Sequence, residues 1–296
     1  MSRDPLVSVI VPCYNSGKTL SRTIDSVIRQ TWENIEILII NDGSTDKSTI
    51  ELLGCLSTKP KITVHSQRNK GLASARNTGI RISKGEFILP LDSDDWLDDN
   101  AIKLMLETYN NHELYSIVYP DIKLEGSRVG VKKTYCNPFE QLFSNQLPYC
   151  MLFPKAVISK VNCYDENFMY GLEDWDLNIR LLISKYNFAK IDLPIFHYWV
   201  DTKGMFLSVT SKKFGNIFER IKHKYPDTYR TSNLLKIMEN SRDISSNRSL
   251  YAYLTQNFIH RIIPLKYYNY TFYRCLHLYI SIRKLHNRIK VNLNVK

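Results

Sequence analysis

Residues 35–44 read Ile-Glu-Ile-Leu-Ile-Ile-Asn-Asp-Gly-Ser. The apolar run is too short for a helix and rich in β-branched residues, and turn and helix-cap chemistry closes it. That pattern describes a buried strand handing over to a loop. The same alternation recurs on both sides. Upstream, Val7–Val11 is a β-rich run broken only by Ser8, followed by a loop and a helical pattern over Thr19–Arg29. Downstream come a weaker strand at Ile62–His65, a helix over Leu72–Ser83, a strand at Phe87–Leu91 and a helix over Leu97–Tyr109. Unbroken apolar strands are covered on both faces, so the expected fold is α/β: a doubly wound, mostly parallel sheet flanked by helices. Such sheets bind ligands beyond the carboxyl ends of their strands. Pro12–Asn15, Asn41–Gly43 and Asp92–Asp95 should therefore converge along one edge. From 111 to 210 the alternation weakens to a strand at Ile117–Tyr119 and a helix over Asp174–Tyr186, with Leu177, Leu181 and Leu182 inward. Residues 211–296 read as a Tyr-rich, mainly helical C-terminal extension, and no internal repeat is visible.

Composition narrows the function classes. The 296 residues include 40 Lys plus Arg and 29 Asp plus Glu, a net charge of +11. With 44% hydrophobic and 12% aromatic residues, the chain is neither disordered nor low-complexity. The charge is lopsided: residues 1–210 hold 23 basic and 25 acidic side chains, a net of −2, and residues 211–296 hold 17 and 4, a net of +13. No stacking or groove-reading motif accompanies that basic end, so nucleic acid is not an expected partner. The six cysteines are scattered without a Cys-x-x-Cys pair and read as reduced cytosolic thiols. The Leu6–Val11 run is too short for a signal-peptide core, and no stretch of about 18 uncharged apolar residues suggests a membrane span.

Pro12-Cys-Tyr-Asn-Ser-Gly-Lys-Thr19 imitates a phosphate-binding loop, but Pro12 stands where that loop needs its first Gly. Proline has no N–H to offer a phosphate and cannot take positive φ, which argues against a nucleoside triphosphatase. Leu91-Asp92-Ser93-Asp94-Asp95-Trp96 places three carboxylates directly after a strand. One capping aspartate would need no further account. Three repel one another unless a cation offsets them, and Mg²⁺ or Mn²⁺ shared with a diphosphate would do so. In Gly171-Leu-Glu173-Asp174-Trp175-Asp176, followed later by Arg180, Asp176 and Arg180 form an i, i+4 ion pair. Glu173 and Asp174 are either helix caps or a general base at a pocket edge.

VSVIVPCYN, ILIINDGSTDKS, NKGLASARNTGI, GEFILPLDSDDWL and GLEDWDLNIRL, in that order, resemble the family 2 glycosyltransferases of the GT-A fold. The resemblance is dense over about 5–110, returns at 171–182 and fades beyond about 210. It implies a nucleotide-sugar-binding half (1–110), an acceptor half with the base (111–210) and the basic extension (211–296). By position it implies that Pro12, Tyr14 and Asn15 line the nucleotide pocket and that Asp42 accepts from the base, usually uracil. Asn69, Gly71, Arg76 and Asn77 match a segment near the ribose and diphosphate. Asp92 and Asp94, with Ser93 between them, match the Asp-x-Asp motif that holds the ribose and the divalent metal, and either Asp94 or the neighbouring Asp95 is the direct metal ligand. Asp174 matches the catalytic base, with Glu173 beside it. Trp175 is either an acceptor wall or a core aromatic. The Ile195-Phe-His-Tyr-Trp199 segment departs from relatives, and His197 is either a further metal ligand or a satisfied core residue. Lys203–Ser208, with Gly204 as hinge, is expected to close over the donor.

Residues 272–290 place Arg274, His277, Ser281, Lys284 and Arg288 on one helical face and Cys275, Leu278, Ile282, Leu285 and Ile289 on another. A basic amphipathic helix of this kind lies either on an anionic membrane or, with its basic face solvated, against the rest of the protein. The expected function is a metal-dependent, inverting transfer from a nucleotide-diphospho-sugar, most simply a UDP-sugar, onto a glycan or lipid-linked glycan. Its expected setting is bacterial surface polysaccharide (lipopolysaccharide or capsule), with the protein peripheral on the cytoplasmic face of the inner membrane. The rival reading is a non-catalytic, membrane-associated scaffold that keeps the fold.

Overall fold

A computed structural model of the chain describes residues 4–113, 115–169, 171–201 and 211–241. The 203–208 loop and the 272–290 amphipathic stretch lie outside the described residues. Residues Met1–Ile237 make one compact unit, and Met238–Lys296 are a second.

The first half builds β1 (Val7–Cys13), α1 (Leu20–Ile28), β2 (Ile35–Asn41), α2 (Lys47–Leu56), β3 (Ile62–Ser66), α3 (Leu72–Ile82), β4 (Phe87–Pro90), β5 (Trp96–Leu97) and α4 (Ala101–Asn110). After these come β6 (Ile117–Gly126), β7 (Gly130–Lys132), α5 (Pro138–Gln141), β8 (Phe153–Pro154), α6 (Lys155–Lys160), α7 (Glu173–Ile183), β9 (Phe188–Val200), α8 (Ser211–Lys224) and α9 (Thr231–Asn240). The main sheet runs β3-β2-β1-β4-β8, parallel except where β8 joins β4 antiparallel. A second sheet runs β5-β9-β6-β7, with β6 and β9 parallel and its outer pairs antiparallel.

The unbroken apolar runs are explained by coverage on both faces. Val7, Val9 and Val11 of β1 pack on one side with Leu20 and Ile24 of α1. Ile10, with Leu38 and Ile40 of β2, faces the other side among Ala73 and Ile80 of α3 and Leu177 and Leu181 of α7. Alternate residues of one strand thus serve two cores. Helix α3 lies close against β1: a Cβ at Gly79 would come 2.4 Å from Ile10 Cγ2, so only glycine fits.

Two elements place the chemistry. β9 is a 13-residue strand carrying His197 and Trp199, a much longer element than the Ile195–Trp199 segment considered from sequence. Before α7, Gly171 and Leu172 take φ of 91° and 66°, and the left-handed turn sets Glu173 and Asp174 in the helix's first turn. A leucine is rarely found in that region. Among the described residues, no helix is long and apolar enough to cross a membrane.

Candidate active site

The loops after β1, β2 and β4 meet, as strand-end placement predicts, around a cleft of about 840 Å³. Pro12, Tyr14, Asn15, Asp42, Asn69, Gly71, Asp92, Ser93 and Asp94 all line it. Tyr14 is half-exposed and offers its ring. Asn15 takes a left-handed φ of 51° and accepts the Thr45 and Asp46 N–H groups on Oδ1 at 2.8 and 3.2 Å, tying the first two loops together. Asp42 is buried and shapes the loop after β3. Its Oδ1 accepts from Gln67 Nε2 at 2.8 Å and the Lys70 N–H at 2.9 Å, and its Oδ2 accepts the Gly71 N–H at 2.8 Å.

The three clustered aspartates have separate surroundings. Asp92 receives Arg76 Nη2 at 2.6 Å. Asp94 faces the cleft, where burial first and the charge of Asp92 second push its carboxyl up to about 6. Asp95 turns away and is buried. Its Oδ1 accepts the Trp199 N–H at 2.7 Å and its Oδ2 accepts the Tyr149 hydroxyl. Burial, then Asp94 and Asp92, hold the Asp95 carboxyl well above the usual range. Tyr149 also receives the Asp92 N–H at 3.0 Å, so one hydroxyl braces both ends of the acidic loop. Arg22 of α1 fixes its middle: Nη2 donates to the Asp94 carbonyl at 2.8 Å while the guanidinium lies 3.7 Å over Trp96 and 4.9 Å from Trp199.

A second cleft of about 560 Å³ opens beside the first. The two share Asp92, Asp94, Glu173 and Trp199, but Asp174 lines only the smaller. Glu173 is buried and accepts Arg76 Nη1 at 2.6 Å, so one buried guanidinium bridges Asp92 and Glu173. Burial works against the charge of Arg76, but the carboxylates outweigh it and hold its pKa above the ordinary value. Asp174 accepts Asn145 Nδ2 at 2.8 Å and the Trp175 N–H at 2.8 Å. Burial raises its carboxyl, while Arg76 and these two donors oppose the rise. A carboxylate in the first turn of α7 also meets a favourable helix dipole.

Some expected residues are not brought to the clefts. Trp175 is a core aromatic and not an acceptor wall: it is fully buried, donates Nε1 to the Gln141 carbonyl at 2.6 Å, and stacks on Phe218 at 5.9 Å. His197 lines neither cleft. Its ring nitrogens face Asp98 and Glu125 at 2.8 and 3.2 Å, and it stacks on Trp96, which corresponds to the satisfied-core reading. The inward turn of Asp95 likewise keeps it from a metal held in either cleft. Asn77 exchanges hydrogen bonds with the Tyr164 backbone and gives another to Glu166, bracing the loop that precedes α7. Arg76 reaches the smaller cleft, with its charge already occupied by two carboxylates.

Residues 8–158 match the family model described as "Glycosyl transferase family 2", a little over half of the chain. The chain belongs to that family. Within the family, it is 38% identical over 119 residues to a chondroitin synthase from Escherichia coli, covering 40% of this chain and 17% of that protein. It is 38% identical over 120 residues to a hyaluronan synthase from Pasteurella multocida, covering 40% and 12%. With EpsJ of Bacillus subtilis, named an uncharacterized glycosyltransferase, it shares 39% identity over 210 residues, 66% of this chain and 61% of the other. The matched segment thus spans less than a fifth of the length of either synthase. Among solved structures, S. aureus TarS 1-349 in complex with UDP-GlcNAc superposes with a TM-score of 0.67 at 17% identity, covering 88% of this chain and 77% of that one. That likeness is one of fold, and it identifies the mixed α/β body as GT-A.

Several residues of this family 2 site escape a reading of the sequence. Tyr149 and Asn145 are isolated polar residues in an irregular stretch, with no motif around them. Trp199 could have been found, because it lies next to the end of the aromatic-rich strand β9.

Proposed function

We propose that this family 2 glycosyltransferase transfers a sugar, with inversion, from a UDP-sugar in the larger cleft to a hydroxyl presented in the smaller. The observation that carries this reading is the meeting of the two clefts at Asp92, Asp94 and Glu173, with Asp174 on the smaller side only. In the reaction the acceptor hydroxyl attacks the anomeric carbon while the bond from that carbon to the diphosphate oxygen breaks. Asp174 takes the hydroxyl proton, and the electron pair leaves with the nucleotide diphosphate. Asn145 keeps the carboxylate oriented. Pro12, Tyr14, Asn15, Asp42, Asn69, Gly71 and Ser93 contribute to the nucleotide-sugar pocket.

The residues fit a divalent cation shared with substrate. Asp94 faces the cleft with a carboxyl whose charge is disfavoured by burial and by Asp92, and a cation would relieve both effects. Among the described residues, no group of three His, Cys, Asp or Glu side chains could hold a metal alone. Mg²⁺ and Mn²⁺ suit one or two carboxylates completed by phosphate oxygens, so Asp94, with Asp92, would hold the ion. When bound, it would neutralise charge developing on the leaving diphosphate.

The TarS complexes with UDP-GlcNAc and UDP support a UDP-linked donor, and the synthase relatives support a polysaccharide acceptor, free or lipid-linked. We place donor binding mainly in 1–110, the acceptor and base mainly in 111–210, and membrane attachment in the basic 211–296. This arrangement suits surface-polysaccharide synthesis at the cytoplasmic face of the inner membrane. The test is a thermal-shift and turnover screen of nucleotide sugars with Mn²⁺. UDP-sugar binding should require the metal and weaken strongly in Asp94→Ala. Asp174→Asn should abolish transfer while keeping donor binding; a protein that binds no nucleotide with metal present contradicts the reading.

A further inference from the structure

The smaller cleft carries a charge pattern that the transfer chemistry does not use. In the β6–β7 hairpin, Ile122 lies opposite Lys132 and Leu124 opposite Gly130. Directly opposed residues of an antiparallel pair share a face, and neighbours along a strand alternate. One face therefore holds Ile122, Leu124 and Lys132, and all three line the smaller cleft together with Arg128 from the hairpin turn. The neighbouring lysines, by contrast, are matched. Lys133 and Lys190 reach Asp121 at 2.7 and 3.3 Å, and Lys123 reaches Glu125 at 3.5 Å.

Arg128 and Lys132 are exposed, and among the described residues neither has a carboxylate within ion-pair distance. Both border the cleft that holds Asp174. The cleft also holds the carboxylates of Asp92, Asp94, Glu173, Asp174 and Asp201, so the two unmatched cations on the hairpin wall give an anionic group on a visitor one local anchor. Arg128 can grip a carboxylate or phosphate through two N–H groups, and Lys132 adds a point charge. Tyr198 and Trp199 line the same cleft and offer rings to sugar faces.

We propose that the smaller cleft selects an anionic acceptor, with Arg128 and Lys132 binding a carboxylate or phosphate on the glycan near the hydroxyl presented to Asp174. The proposal rests on reading the smaller cleft as the acceptor site. Its test is equilibrium binding of three oligosaccharide probes to the full chain: a glucuronate-containing oligosaccharide, a glycerol-phosphate oligomer and a neutral N-acetylglucosamine oligomer. Each is measured without nucleotide and again with UDP and Mn²⁺. At least one anionic probe should bind about tenfold more tightly than the neutral one, as expected for a charge-assisted contact. The advantage should shrink with added salt. The double variant Arg128→Gln/Lys132→Gln should lose it at an unchanged melting temperature, and Lys132→Arg should keep it. The uronate and phosphate arms then separate the two sources of charge. Binding with no anionic preference under either condition, or a preference that survives the double variant, would overturn the proposal. The nucleotide-free arm is independent of the donor reading, so a failure to bind UDP is a separate result.

Discussion

Arg76 is the side chain on which the site's charges depend. It is buried to 1% exposure between Asp92 and Glu173, so its removal leaves two carboxylates facing each other without a cation. Arg76→Met should destabilise the protein by about 3–5 kcal/mol, the usual cost of breaking a buried ion pair from one side. Arg76→Lys should recover part of that loss, since it keeps the charge without the two-pronged geometry. Denaturant midpoints for the two variants check this. Asp174 gives a pH prediction. Its carboxyl is raised, so it binds a proton at higher pH than an ordinary aspartate, and the base form disappears as pH falls through that raised value. The acid limb of the kcat/KM profile should therefore lie above pH ~4, the ordinary aspartate range. A limb at or below that range would show that another group acts as base.

At the level of elements, α7 and its packing separate what is structural from what is chemical. Trp175 anchors α7 in the core by stacking on Phe218 of α8 and donating to the Gln141 carbonyl. Trp175→Phe should cost about 1–3 kcal/mol, because a buried carbonyl loses its donor, while the acceptor KM stays unchanged. A melting curve beside a KM measurement decides between core and wall. The same helix shows what the sequence made legible. Strands β1 and β2 could be read because both faces are covered and most residues had to be apolar; inside the strands, Ser8 and Glu36 are polar and bond each other. Asp174, which lines the smaller cleft, was singled out in the sequence by the resemblance. The partner of Glu173 was not legible, because Arg76 lies 97 positions away and local spacing carries no trace of that contact. Nor could Asp95 be told from Asp94 by letters alone; the difference arises where β9 passes behind the loop and offers the Trp199 N–H. Strand β9 was under-read because Asp192, Leu193 and Pro194 interrupt its pattern midway.

Over the whole molecule, charge is divided between a body of net −2 and a C-terminal stretch of net +13. Asp42, Asp46, Asp92, Asp94, Glu173, Asp174 and Asp201 of that body line the two clefts, where acid–base and cation chemistry would use some of them. The partner we propose for the basic stretch is an anionic bilayer, which suits the patterning of its sequence. Deleting 270–296 should release the protein from anionic vesicles in a sedimentation assay; unchanged sedimentation would remove the membrane reading.

The shared guanidinium also limits how such enzymes can be recombined. A chimaera that keeps residues 1–110 of this chain and imports an acceptor half from a relative inherits Arg76 from one parent and the residue facing it from the other. If the imported helix begins without an acid at the place of Glu173, the hybrid buries a cation with only one of its two counter-ions. Residues 111–210 can therefore be exchanged as a block without stranding a buried charge only between parents that agree at this one pair.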